Sequence, residues 1–154
     1  MTDFERELVK SFNRFFEQGK VEGIAYRLKQ HRFASQIVDV LVDSSHKDFY
    51  LGIECKSVST DKGAVALYFT QHFSAGQIPR IDDFLKKSGR RGVLAVELRR
   101  GSGKSRGAHI IKWTELRKRY AKGSVGFTVD EIVRSPEIHR KGAHYVIEPR
   151  VWGD

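Results

Sequence analysis

The sequence predicts an α/β fold in one domain, a central mixed β-sheet flanked by α-helices. Three observations lead there. Helical periodicity opens the chain, β-branched and alternating runs follow, and helix and strand then alternate to about residue 122. Apolar residues make up 40% and aromatics 11% of 154 residues, enough to pack a core and too many for a disordered chain. No linker, repeat or low-complexity tract divides the chain.

The first element is an amphipathic helix over residues 2–18, with Phe4, Leu8, Phe12 and Phe15 or Phe16 at helical spacing. Thr2 and Glu5 have the spacing of a capping box, and Gly19 is a natural stop. Residues 24–30 (IAYRLKQ) alternate as a strand does. Residues 36–42 (QIVDVLV) and 49–56 (FYLGIECK) are two further strands, joined by the short polar loop DSSHKD. A short extended piece is expected over 66–69 and a helix over 79–88, with Ile81, Phe84 and Leu85 on one face and Gly89 at its end. GVLAVELR (92–99) reads as a strand, RRGSGKSRG (99–107) as a basic glycine-rich loop, 109–112 as a strand and 113–122 as a helix. Beyond that, 137–141 reads as surface and 145–148 as a short strand.

Asp39 interrupts an apolar strand and shares a face with Ile37 and Leu41. A charged carboxylate there is costly unless it is paired or bound to a cation. Glu54 and Lys56 stand two apart on the next strand and so face the same way, while Leu51, Ile53 and Cys55 take the other face. If the two strands form a hairpin, Asp39 and Glu54 converge. A hard divalent cation relieves the repulsion between two carboxylates, and magnesium accepts oxygen ligands while retaining waters. Such an ion can polarise a phosphate and activate water, with Lys56 orienting the water or neutralising developing charge. An edge-strand salt bridge would explain the three residues without chemistry, but an exposed edge is not flanked by so much Val, Ile and Leu. On the first helix, Glu5 borders the inward face and Glu7 the solvent face. Glu5 is therefore the candidate third acid, with a purely capping role as the alternative.

The excess of 28 basic over 19 acidic residues, +9, suits a polyanionic partner. The loop GSGKS (101–105) is not a Walker loop, because Leu98 stands where the first glycine is required. Arg99, Arg100, Lys104 and Arg106 in that loop are candidates for contacting a DNA backbone, against the alternative of a solvated hairpin tip. The six histidines lack zinc-site spacing, and the single cysteine, Cys55, reads as a small buried apolar residue. Phe69, Phe73 and Phe84 read as core or dimer contacts. One cysteine, an N-terminus without an apolar segment and no stretch of membrane-span length favour a soluble cytoplasmic protein with no membrane contact.

Four segments, ERELVK (5–10), IVDVLV (37–42), YLGIECKSV (50–58) and GVLAVELR (92–99), resemble in order those of the archaeal Holliday junction resolvases, within the PD-(D/E)xK nuclease superfamily. The resemblance covers about residues 4 to 99. It implies a restriction-endonuclease-like fold and a homodimer in which each protomer cuts one strand of a four-way DNA junction during recombination and repair. It also implies magnesium as cofactor, with manganese able to substitute. By the same resemblance Asp39, Glu54 and Glu5 are metal-binding, Lys56 is catalytic, and Arg6 lies among the DNA-binding residues. The family carries an arginine and a Gly/Ser loop before the aspartate; in this chain the stretch is RFASQ, with Arg32 and Ser35 as counterparts. Some superfamily members place a glutamine at the start of the helix after the Glu-x-Lys strand, and Gln77 either fills that place or simply begins a helix. The segments 63–76 and beyond about 123 are longer than the family pattern, so the latter reads as a family-specific C-terminal extension. A restriction- or repair-type nuclease acting on duplex DNA, and a non-catalytic basic nucleic-acid-binding domain, are the alternatives.

Overall fold

The structure is a computed structural model, which describes residues 2–27 and 37–153. Helix α1 (Asp3–Glu17) begins at the expected capping box. Thr2 Oγ1 accepts from Glu5 N at 3.2 Å, and the Glu5 carboxylate accepts from Thr2 N at 3.3 Å. Strands β1 (Gly23–Tyr26), β2 (Val40–Ser44) and β3 (Leu51–Ser59) follow, then the short β4 (Ala66–Tyr68) and α2 (Phe69–His72). Helix α3 (Gln77–Ser88), β5 (Arg91–Arg99), β6 (Gly107–Lys112) and α4 (Trp113–Ala121) complete the predicted alternation. The C-terminal part adds β7 (Gly126–Thr128), α5 (Val129–Arg134), β8 (Arg140–Lys141), β9 (His144–Tyr145) and α6 (Pro149–Trp152).

Among the described residues, five strands form the central sheet in the order β1-β2-β3-β5-β6. Of these, β3 and β5 run parallel, joined by a crossover through α3, and the other neighbours run antiparallel, so the sheet is mixed as expected. Alternation divides its side chains between two cores. Val40, Val42, Leu51, Ile53, Cys55, Val93 and Ala95 pack under α1 and α6 with Phe4, Leu8, Phe12 and Trp152. Leu41, Val58, Leu94, Val96 and Leu98 pack under α3 and α4 with Ile81, Leu85, Trp113 and Leu116. The parity predicted for β3 is thus observed, and Cys55 is buried in the α1-side core. Phe69 and Phe73 lie in the other core, and Phe84 packs partly buried against it. Among the described residues, no helix is long and apolar enough to cross a membrane.

Several elements differ from expectation: the strand expected over 145–148 is only the two-residue β9, the one expected over 24–30 ends at Tyr26 within the described residues, and the helix expected from Pro79 begins at Gln77. The strand predicted over 36–42 begins its ladder only at Val40. The Asp39 carboxylate takes the Cys55 N–H at 2.8 Å, so a side chain rather than a backbone carbonyl accepts from that residue and the regular ladder ends there. Residues 137–141 are surface only in part. Ile138 is buried, its N–H bonds to Ala108 O, and Glu137 bridges to His109. The region beyond 123 supplies Phe127 and Ile132 to one core and Ile138, Tyr145, Ile147 and Trp152 to the other. Short elements with few periods to display carry those residues, so the sequence pattern shows little of this region beyond a surface stretch and one short strand.

One packing detail sets the position of α3. Gly52 and Gly92 are register partners on β3 and β5, and together they leave a trough into which Leu85 inserts. A methyl group at Gly92 would overlap Leu85 Cδ1 and lie 2.7 Å from Trp113 Cβ; one at Gly52 would lie 3.0 Å from Leu85 Cδ2. The two bare positions let α3 sit close to the sheet and bring its N-terminus down onto β3. Gly92→Ala is expected to cost about 1–3 kcal/mol of unfolding free energy through overpacking, read as a lower urea midpoint at unchanged m-value. An unchanged midpoint would show that the trough does not fix the helix.

Candidate active site

Glu54 lies in the middle of β3 with neighbouring strands on both sides and is only 3% exposed. Val40 pairs with Ile53, so Asp39, one residue before Val40, comes opposite Glu54 on the α3 side of the sheet. Asp39 N donates to Ile53 O at 3.1 Å, and its carboxylate is held by Cys55 N. The Asp39 charge therefore bears on Glu54 directly. The convergence predicted from strand parity is therefore present.

Two further groups reach the same glutamate oxygen. Lys56 Nζ lies 3.0 Å from Glu54 Oε2, and Gln77 Nε2 donates to Oε2 at 2.7 Å. Gln77 is the first residue of α3. Its amide oxygen accepts from Ser74 N at 3.0 Å, which fixes the amide with its NH₂ group toward Glu54. Gly76, at φ 75°, makes the left-handed turn that closes this loop. Gln77 thus does more than begin a helix. Lys56 Nζ also stands 4.5 Å from the centroid of the Phe73 ring, a contact the sequence reading missed.

The electrostatic balance at Glu54 is unfavourable to its charge. Burial, and then the Asp39 charge, push its pKa up from 4.5 to about 8, against the opposing pull of Lys56. The buried Cys55 thiol is pushed up as well, by burial first and then by the charges of Asp39, Glu54 and Glu5. Glu5 stands at the start of α1, on the α1-side core rather than beside Gln77. It is 7% exposed, keeps its capping bonds and lies 3.9 Å from Arg27 Nη2. Among the described residues, no group of three or more His, Cys, Asp or Glu side chains is placed to hold a metal. Asp39 and Glu54 are brought together as a pair, and Glu5 is not brought into it.

The expected DNA-binding residues are scattered. Arg6 is exposed and pairs with Asp3 in the first turn of α1. Arg32 and Ser35 lie outside the described residues. Arg99, Arg100, Lys104 and Arg106 lie at or beside the β5–β6 connection as foreseen, and Arg99 and Arg106 both contact the buried Glu97. Glu97 went unnoticed in the sequence, although a lone acid within VLAVELR is the same signal that marked Asp39.

No protein-family model matches the chain, and no curated protein does. A solved structure does: Hjc of Archaeoglobus fulgidus, described as a Holliday junction resolvase from an archaeal hyperthermophile. The TM-score is 0.55 at 20% sequence identity, over 89% of this chain and 94% of that one. The two chains share a fold. The expected class, a mixed central sheet flanked by helices, is thereby met by a structure determined for another protein.

An acid whose folded-state pKa lies above its unfolded value holds a proton in the fold that the unfolded chain releases. The contribution of Glu54 is therefore whole below about pH 4.5 and is lost as pH rises through about 8. In chelator, the wild-type protein should lose stability across that window, on the order of a few kcal/mol. Glu54→Gln should flatten the slope in urea titrations at pH 5, 6.5 and 8. An equally steep decline in the variant would mean that Glu54 is not the group responsible.

Proposed function

We propose that the protein is a metal-dependent DNA endonuclease that cuts four-way junctions, working as a homodimer. The observation that carries this reading is the mutually facing pair of half-buried Asp39 and buried Glu54, with Lys56 beside it. A divalent cation fits the pair on chemical grounds. Both donors are carboxylates, and the buried Glu54 is held above its ordinary pKa because one lysine does not offset burial and a second acid. Magnesium, which retains several waters, needs only one or two protein carboxylates, and manganese accepts the same oxygen ligands.

Asp39 and Glu54 would hold the ion, which when bound supplies a polarised phosphate and a more acidic water. The remaining work falls to the chain itself. Cys55 N–H fixes the aspartate carboxylate, and Gln77 holds one oxygen of the glutamate in place. Lys56, partly buried against the Phe73 ring, keeps a cation at the point where negative charge grows on a phosphate under attack. Glu5 would assist from the α1 side by placing metal or substrate. The net charge of +9 suits a nucleic-acid substrate. The choice of junction is supported by the sequence resemblance and by the described activity of the Hjc structure. Two symmetric cuts in a four-way junction call for two copies of one site, as a two-fold dimer provides.

The test offers purified protein a labelled four-way junction and a linear duplex, each with magnesium and with chelator. Paired symmetric nicks in the junction alone, dependent on magnesium, are expected. Cutting of both substrates would replace the junction reading with a general nuclease, and binding without cutting would remove the enzyme reading. Lys56→Met should slow cleavage roughly 10²–10³-fold while leaving DNA affinity in chelator unchanged. Gln77→Ala should slow it about 10–100-fold, as loss of a group that orients a metal ligand does. Wild-type rates in Lys56→Met would refute its assignment.

A further inference from the structure

A second buried acid lies on the other face of the same two strands. Glu97, near the end of β5, is 0% exposed and pairs in register with Ser57 of β3, whose hydroxyl donates to Glu97 Oε1 at 3.0 Å. Arg99 Nε contacts Oε1 at 3.0 Å and Arg106 Nη1 contacts Oε2 at 3.5 Å, so the two ends of the β5–β6 connection are tied to one carboxylate. Both arginine side chains remain nearly half exposed, at 46% and 45%. A guanidinium has five N–H donors, and each arginine commits one of them to Glu97 in these contacts. The connection is braced twice more, by Thr60 Oγ1 donating to Arg99 O at 2.9 Å and by Arg100 Nη1 donating to Ser105 O at 3.3 Å. At its tip Lys104 is exposed. Four cations therefore stand on a short connection whose base holds one buried carboxylate.

From these contacts we infer that the β5–β6 hairpin is a clamp for the DNA sugar–phosphate backbone, held in shape by Glu97. The inference rests on the nuclease reading for the identity of the polyanion. Charge and position select it. Lys56 pairs with Val96, and Arg99 lies three residues further along β5, about 10 Å at strand rise. That is roughly three steps of a duplex at 3.4 Å each, so a duplex that reaches Lys56 on one face passes the end of the sheet from which the hairpin extends. Arginines with spare planar donors suit phosphate oxygens, and pre-positioning them reduces the ordering cost of binding. Glu97 is a positioning residue here and touches no substrate.

The experiment measures affinity for a fluorescent four-way junction in chelator across a salt series. Arg100→Gln/Lys104→Gln changes exposed side chains that do not contact Glu97. It should weaken binding about tenfold and reduce the slope of log K against log salt by about 2, near 0.9 for each lost phosphate contact. Lys86→Gln/Lys87→Gln removes the same charge from the far end of α3 and should move the slope by less than half as much. A change no larger in the hairpin pair than in this control, or no binding by the wild-type protein, overturns the clamp. Glu97→Gln should speed amide hydrogen exchange across residues 99–107, and unchanged exchange removes Glu97 from the account. Cleavage of the same junction by the wild-type protein is measured in parallel with magnesium. If the wild-type protein does not cut while the slopes behave as expected, the nuclease reading fails and the clamp stands.

Discussion

Glu54 is a carboxylate with too little to balance it. The central strand β3 buries it, Asp39 at the entry to β2 sets a second acid against it, and the Lys56 ammonium and the Gln77 amide share one of its oxygens. Much of the surrounding architecture serves that arrangement. Gly52 and Gly92 clear the sheet so that Leu85 can drop α3 close to β3, and this proximity allows Gln77 to reach the glutamate at all. Asp39 stays in place because it replaces a strand carbonyl as acceptor for Cys55 N–H, which also ends the β2 ladder. Local order and local strain on charge are thus built from the same contacts.

The sheet carries an internal comparison. Glu97 is buried as deeply as Glu54, one strand away and facing the opposite core, yet two guanidiniums and a hydroxyl surround it. Its carboxylate is supplied with more positive charge than it carries, as a structural acid requires. Glu54 has a second acid where Glu97 has arginines. A buried acid left short of positive charge is suited to receive a cation, whereas a buried acid with ample charge is suited to hold a loop. The two glutamates therefore divide the work between the proposed chemistry on one face and the proposed substrate contact at the strand ends.

Much of this was legible in the sequence because strands have a period of two. Glu54 and Lys56 had to share a face, and a hairpin then had to bring Asp39 toward them. Other features depended on distance in the chain. Gln77 is 23 residues from Glu54, and only the trough made by two glycines on different strands explains why it arrives. Phe73 was assigned to the core, where it is, but its ring also covers Lys56. Glu97 carries the same signal as Asp39, and Arg99 stands two residues on, at the spacing of Glu54 and Lys56. The C-terminal elements are too short to show periodicity, although they close both cores.

The central claim is that Asp39 and Glu54 act together as the ligands of one divalent cation. Titration of the protein with manganese by calorimetry, without DNA, tests it most directly. Wild-type protein should show one saturable site that Lys56→Met retains and that Asp39→Asn and Glu54→Gln each lose. Manganese binding of wild-type affinity in Asp39→Asn would contradict the account.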